Sequence, residues 1–235
     1  MDIKLIGAPL SPFVRKARFV FHAKNIGYEF DPRVSPLHVP EEYVKLNPLK
    51  LIPAMTVTEN GTQTAIPDSS AICAFAEKIA PEPSLYPAAP VAFARCLWFE
   101  EYADTEIAKK GTFTFFRTVF FALVAGKEPQ YEELHIGFDY LAEIASYIDS
   151  QLGDNDWLVG NEMSLADVSV ASHFVNIHHA GYDFQEADGA ALYGLIQRVF
   201  AHPVMADIIA GEHKLLAKMG YEKPDLNAYR AENNL

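Results

Sequence analysis

An α/β domain with a small mixed sheet, followed by an all-helical domain, is the fold class this sequence predicts. Three observations predict it. Short strand-like and helical patterns alternate over the first eighty residues in the order β-α-β-α-β-β-α. A proline-rich stretch, Pro81-Glu82-Pro83-Ser84-Leu85-Tyr86-Pro87, then interrupts the pattern. Beyond it only helical periodicity persists, punctuated by glycine and proline. The expected division is therefore residues 1–80, a linker over 81–87, and a helical domain over 88–235.

Each element has a local reason. Ile3, Leu5 and then Ile6-Gly7 alternate as a first strand. Phe13, Ala17, Val20 and Phe21 share one helical face, with Arg15, Lys16 and Arg18 largely off it. Ser11 suits the N-cap of that helix and Pro12 its first turn. Tyr28-Glu29-Phe30 reads as a second strand and Glu41–Leu46 as a short helix. Asn47-Pro48-Leu49-Lys50-Leu51-Ile52-Pro53 is a turn-rich approach to a third strand over 54–58. Asn60-Gly61 is a two-residue hairpin signal, and the returning strand spans about 62–66. Asp68 or Ser69 then caps a helix that carries Ala71, Ile72, Phe75 and Ile79 on one face. In the second half, helices are expected over about 91–110, 112–125, 131–151, 165–179, 190–201 and 204–218, with a polar coil or disordered end from Gly220.

The totals exclude several classes. Half the 235 residues are apolar and about a fifth are charged, an ordinary globular composition with material for a sizeable core. The start, Met1-Asp2-Ile3-Lys4, carries no secretion signal, and the longest apolar run, Val119–Ala125, is too short to span a bilayer. Two cysteines, Cys73 and Cys96, form no metal or redox spacing and read as core residues of a cytoplasmic protein. The net charge of −12 is uneven: residues 1–80 hold 9 Lys+Arg against 8 Asp+Glu, leaving 10 against 23 for the rest. That acidic half argues against nucleic acid and membrane partners, and the near-neutral half suits a small anionic ligand.

Candidate chemistry concentrates in few places. Ser11 delivers a hydroxyl to the positive end of the first helix, where an anion is welcome; a simple helix cap is the alternative. Thr112–Phe121 is unusually aromatic, and Phe113, Phe116 and Phe120 share a helical face that could line an apolar pocket or simply pack in the core. Ser164-x-x-Asp167 is a capping box. His173, His178 and His179 lack metal-site spacing, so no metal is expected. Nucleophile-elbow, P-loop and dinucleotide fingerprints are missing.

Taken together, Ser-Pro-Phe opening the first helix, Asn-Pro-x-x-x-Ile-Pro before a hairpin, Asp-Ser opening the next helix, and Gly160…Ser164-Leu165-Ala166-Asp167 resemble the soluble glutathione transferases of the serine type. The likeness runs from about Ile3 to Ile209. It implies a thioredoxin-like N-terminal domain joined to a helical domain, a homodimer, and glutathione as co-substrate without a metal. It implies Ser11 as the donor to the glutathione sulfur, with Phe13 nearby. By the same resemblance, Ile52, before a cis Pro53, would pair its backbone with the cysteinyl part of the peptide. Asp68 and Ser69 would hold the γ-glutamyl ammonium and carboxylate. Lys50 stands where some serine-type classes place a basic residue facing the glycine carboxylate, and His38 where those classes place a polar glutathione contact, whereas Leu51 departs from the usual Lys or Gln. Leu10, Phe113, Phe116 and Phe120 would line the pocket for a small apolar electrophile.

The implied chemistry needs glutathione as its thiolate. A hydroxyl donating to a charged sulfur contributes ~1.5–3 kcal/mol, and a helix N-terminus about 0.3–1 kcal/mol, more when partly buried. At about 1.36 kcal/mol per pKa unit, the two lower a thiol near 8.5 by roughly 1.5–3. The thiolate then dominates at neutral pH without a base or a metal. Two further readings share the fold. One is a glutathione-dependent isomerase of maleylacetoacetate type, although that group carries Ser-Ser-Cys where this chain has Leu10-Ser11-Pro12. The other is a non-catalytic ligand-binding or assembly protein.

Overall fold

The computed structural model describes all 235 residues, which form two compact units, Met1–Leu85 and Tyr86–Leu235. In the first, the element order is β1 (Asp2–Ile6), α1 (Pro12–Ala23), β2 (Glu29–Asp31), α2 (Glu41–Leu46), β3 (Ala54–Glu59), β4 (Thr62–Ile66) and α3 (Ser69–Ile79). The sheet order is β2-β1-β3-β4, with β1 and β2 parallel and the other pairs antiparallel. This is the mixed sheet of a thioredoxin-like domain. Asn60 and Gly61 both take positive φ, 50° and 78°, as a primed two-residue turn demands, and the β3–β4 ladder closes on them at Glu59 and Thr62.

Register decides which side chains reach each face. Ile6 pairs with Ala54, and both pack with Val34 and Tyr43 of α2. Leu5 pairs with Met55 on the other face, and both are fully buried. Helices α1 and α3 pack against each other. Arg15 and Lys16 lie off the apolar face of α1 but are buried all the same, and Lys16 Nζ donates to Ser70 Oγ in α3 at 3.2 Å. The proline-rich stretch is packed as far as Leu85. The buried Lys24 ammonium pairs with Glu77 at 2.9 Å and donates to the carbonyls of Ala80 and Pro83, and Leu85 N–H donates to Glu77.

The second unit contains α4 (Pro90–Tyr102), a π-helical segment (Ala103–Phe113), α5 (Thr114–Val124), α6 (Leu134–Leu152), α7 (Leu165–Ala180), α8 (Ala190–Ala201), α9 (Pro203–Lys218) and α10 (Leu226–Glu232), with short 3-10 turns at Tyr131–Glu133 and Glu186–Asp188. Helix α7 is the axis of this unit: every residue in it except His178 is buried. Its apolar residues surround the helix and carry it inside, and polar side chains such as Asp167 and His179 are buried with their hydrogen-bond partners. The helical break expected near Gly111 does not occur. The chain runs from α4 into α5 through the π segment, and Gly111 is buried where an added Cβ would stand 3.1 Å from Ile177 Cδ1 of α7. The glycine thus serves close helix approach rather than a stop.

The tail also differs from the expected coil. Asp225 caps α10 by accepting from Ala228 N–H at 2.9 Å, Leu226 is fully buried, and Leu226 N–H donates to Gly181 O at 2.9 Å. Arg230 pairs with Asp188 and donates to Tyr182 Oη. Periodicity over seven residues is too short to announce such a helix, which forms because its partners wait on the α7–α8 connection. Gly181, at φ 109°, is the left-handed cap of α7, and an added Cβ would meet Pro224 O at 2.1 Å. Gly181→Ala is expected to cost roughly 1–3 kcal/mol and to release the tail. A lower thermal midpoint and faster proteolysis after Gly220 would register both effects.

Both cysteines are buried and neither forms a disulfide; burial pushes the Cys96 thiol up to about 11, so it is not a thiolate at neutral pH. No helix is long and apolar enough to cross a membrane.

Candidate functional site

In the first unit the predicted Ile52–Pro53 bend and the first turn of α1 meet at the C-terminal end of β1. Gly7 ends β1, and a Cβ there would lie 2.6 Å from Val14 Cγ2, 3.2 Å from Ile52 Cβ and 3.5 Å from Pro53 Cα. Only a glycine lets the strand end, the first turn of α1 and the Ile52–Pro53 bend come so close. The Ile52–Pro53 peptide is cis.

Ser11 occupies the N-cap of α1, with Pro12 in the first turn. Its Oγ accepts from Val14 N–H at 3.4 Å, a long bond, and the side chain is partly exposed. Accepting that bond leaves the hydroxyl proton for another acceptor. Capping and donation to a sulfur anion are therefore compatible tasks for one side chain. Leu10 beside it is buried, and Phe13 is half-buried on α1.

The start of α3 is tied to the same region by Asn47. Its Nδ2 donates to Leu51 O at 2.8 Å and to Pro67 O at 3.3 Å, while its Oδ1 accepts from Leu49 N–H at 3.0 Å. Tyr43 Oη also donates to Leu51 O at 2.6 Å, and burial pushes that phenol up to about 12. The carbonyl before Ile52 is thus doubly held. In the sequence Asn47 is only part of a turn, since one side chain bridging two loops twenty residues apart leaves no periodic trace.

Asp68 is the N-cap of α3 and accepts from Ala71 N–H at 2.8 Å; it is exposed, while Ser69 is buried. Lys50 is exposed on a turn closed by Lys50 N–H donating to Asn47 O at 3.0 Å, with φ at 60°. A β-carbon in that left-handed region costs about 1 kcal/mol relative to glycine. His38 is exposed on a loop whose backbone pairs reciprocally with Ser35 at 3.0 Å.

The aromatic candidates lie in the second unit. Phe116 and Phe120 are buried on α5 and stack with centroids 4.2 Å apart, and Phe120 also meets Tyr221 at 5.0 Å. Phe113 ends the π segment and is 50% exposed.

Residues 5–84 match the family model for the glutathione S-transferase N-terminal domain, and residues 112–203 match that for the C-terminal domain. The chain is 30% identical to FtsZ-localized protein A of Caulobacter vibrioides, over 85% of this chain and 89% of that protein. It is 22% identical to a stringent starvation protein A homolog of Haemophilus ducreyi, over 85% and 86%. Among solved structures, FzlA from C. crescentus superposes with a TM-score of 0.80 at 24% identity, covering 89% of this chain and 92% of that one. A glutathione S-transferase from Rhodospirillum rubrum superposes at 0.76 with 24% identity, covering 88% and 91%. With both domains present in order and a relative matched almost end to end, the chain belongs to the glutathione S-transferase family.

Proposed function

We propose that this protein is a cytoplasmic, serine-type glutathione transferase that binds glutathione on the first unit and conjugates it to, or isomerises through it, a small apolar electrophile. One observation carries the reading: Gly7 packs against Ile52 and Pro53 while Asn47 ties that bend to Pro67, next to Asp68 and Ser69. In this reading Ile52 pairs with the cysteinyl backbone. Asp68 and the start of α3 take the γ-glutamyl ammonium and carboxylate. Ser11 donates its spare proton to the sulfur. Lys50, held in a backbone conformation where glycine would be cheaper, takes the glycine carboxylate. Phe13 is a further glutathione contact, Leu10 next to Ser11 offers apolar surface for the second substrate, and His38 is a peripheral contact. A homodimer fits the apolar residues that α4 leaves exposed, Val91, Phe93, Leu97 and Trp98. Clearance of toxic electrophiles is the role such chemistry would serve.

A second reading is favoured by the relative whose name places it with FtsZ: a non-catalytic protein that keeps the fold and acts by assembly. Retention on immobilised glutathione, followed by turnover of a chloronitrobenzene and a cis-enone, separates these readings. Binding with conjugation is the expected result. Binding with turnover of the enone alone indicates the maleylacetoacetate-type isomerase. Failure to bind glutathione overturns the proposal in favour of assembly.

A further inference from the structure

The second unit carries a cluster of side chains that the glutathione reading does not use. His178 and His179 close the last turn of α7, and His213 faces them from α9. Their ring centroids lie 5.2–5.8 Å apart, and one ring nitrogen from each falls within 4.8 Å of the others. The cluster borders a cavity of about 630 Å³ in the second unit that His178 and His213 line together with Phe174, Phe184, Tyr193 and Phe200. Spacing within α7 alone offered no ligand set, because the third imidazole comes from a different helix.

We propose that His178, His179 and His213 form a binding site for a divalent transition-metal ion of the zinc type, with the remaining coordination position open to the cavity. Imidazole nitrogen is the donor that suits zinc, copper and nickel, and not magnesium or calcium.

Two carboxylates stand behind the ring nitrogens as orienting partners do in metal sites. Asp183 Oδ1 lies 2.5 Å from His178 Nδ1, and Glu212 Oε2 lies 2.9 Å from His179 Nε2 inside the protein. Each carboxylate accepts from the nitrogen it faces, so the lone pair moves to the other nitrogen of that ring: Nε2 of His178 and Nδ1 of His179. The carbonyl end of α7 adds a negative dipole beside the same residues.

Lys223 stands 3.2 Å from Asp183 Oδ1 and 3.4 Å from His178 Nδ1, the nitrogen that faces the carboxylate. Zinc–nitrogen bonds of ~2.0–2.1 Å at a tetrahedral centre place ligand nitrogens about 3.4 Å apart. The rings must therefore draw in, and exposed His213 has the freedom to do so. The bound ion would clasp the end of α7 to α9.

Isothermal titration of tag-free protein with zinc chloride tests this, with magnesium chloride as the control. One zinc per chain is expected, with a Kd of about 10 µM or tighter and no heat from magnesium. His213→Ala is the main variant, since an exposed side chain can be removed without disturbing the core, and circular dichroism checks its fold. It should weaken zinc binding about tenfold or more, and His178→Ala should do the same. Cobalt chloride should give visible d–d bands of a tetrahedral site that are lost in His213→Ala. Zinc bound as tightly by His213→Ala as by the wild type would overturn the proposal, and so would absence of one-to-one binding. The glutathione reading is untouched by either result, because it rests on the other unit.

Discussion

Replacing Asp167 with alanine is expected to remove about 3–5 kcal/mol of stability, measured by urea unfolding of the variant against the wild type. The carboxylate is fully buried at the start of α7. Its Oδ1 accepts from Leu158 N–H at 2.9 Å, and its Oδ2 accepts from Ser164 N–H at 2.7 Å and Ser164 Oγ at 2.9 Å. Burial alone pushes this carboxyl above its ordinary pKa, while the three donors work to keep it charged. Removing the acceptor strands three donors, two of them on the main chain, at roughly 1–3 kcal/mol each before relaxation. Against a typical total of about 5–15 kcal/mol, the variant should be marginal at body temperature. Asp167→Asn keeps one acceptor oxygen and should fall between. A variant within about 1 kcal/mol of wild type would show that water replaces the carboxylate, contrary to its burial.

Ser11→Ala is expected to lower kcat/KM for glutathione conjugation by about 10- to 100-fold, the kinetic equivalent of a hydrogen bond to a charged sulfur. The same change removes the cap of α1 and costs about 0.5–2 kcal/mol of stability, so loss of activity alone would be ambiguous. Ser11→Gly resolves the ambiguity. Glycine at an N-cap costs only a few tenths of a kcal/mol relative to serine, yet supplies no hydroxyl. If the hydroxyl serves the sulfur, both variants lose the ultraviolet thiolate signal of bound glutathione at neutral pH, and only alanine also lowers the unfolding midpoint. A thiolate titration unchanged in Ser11→Gly would remove Ser11 from the mechanism and leave it as a helix cap.

Much of the first unit was legible because its signals are local. Asn60-Gly61 names its own turn, Ser11-Pro12 its own helix start, and Asp68 its own cap, each within four residues. The capping box at Ser164 and Asp167 is legible for the same reason. What escaped detection depends on residues distant in sequence. Asn47 matters because Leu51 and Pro67 converge on it, and Gly7 because Val14, Ile52 and Pro53 do. The short α10 forms on Gly181 and Asp188, and Gly111 lies under Ile177 instead of ending a helix. His213 illustrates the same limit: on α9 it is an unremarkable exposed histidine, and its neighbours appear only when α7 and α9 meet.

The enclosure of α7 leaves that helix a single window. Fifteen of its positions can drift only within tight limits of volume and polarity, so adaptation in this half of the molecule must act elsewhere or through His178. A solute arriving at that imidazole pushes directly on the rod around which the other helices are wound.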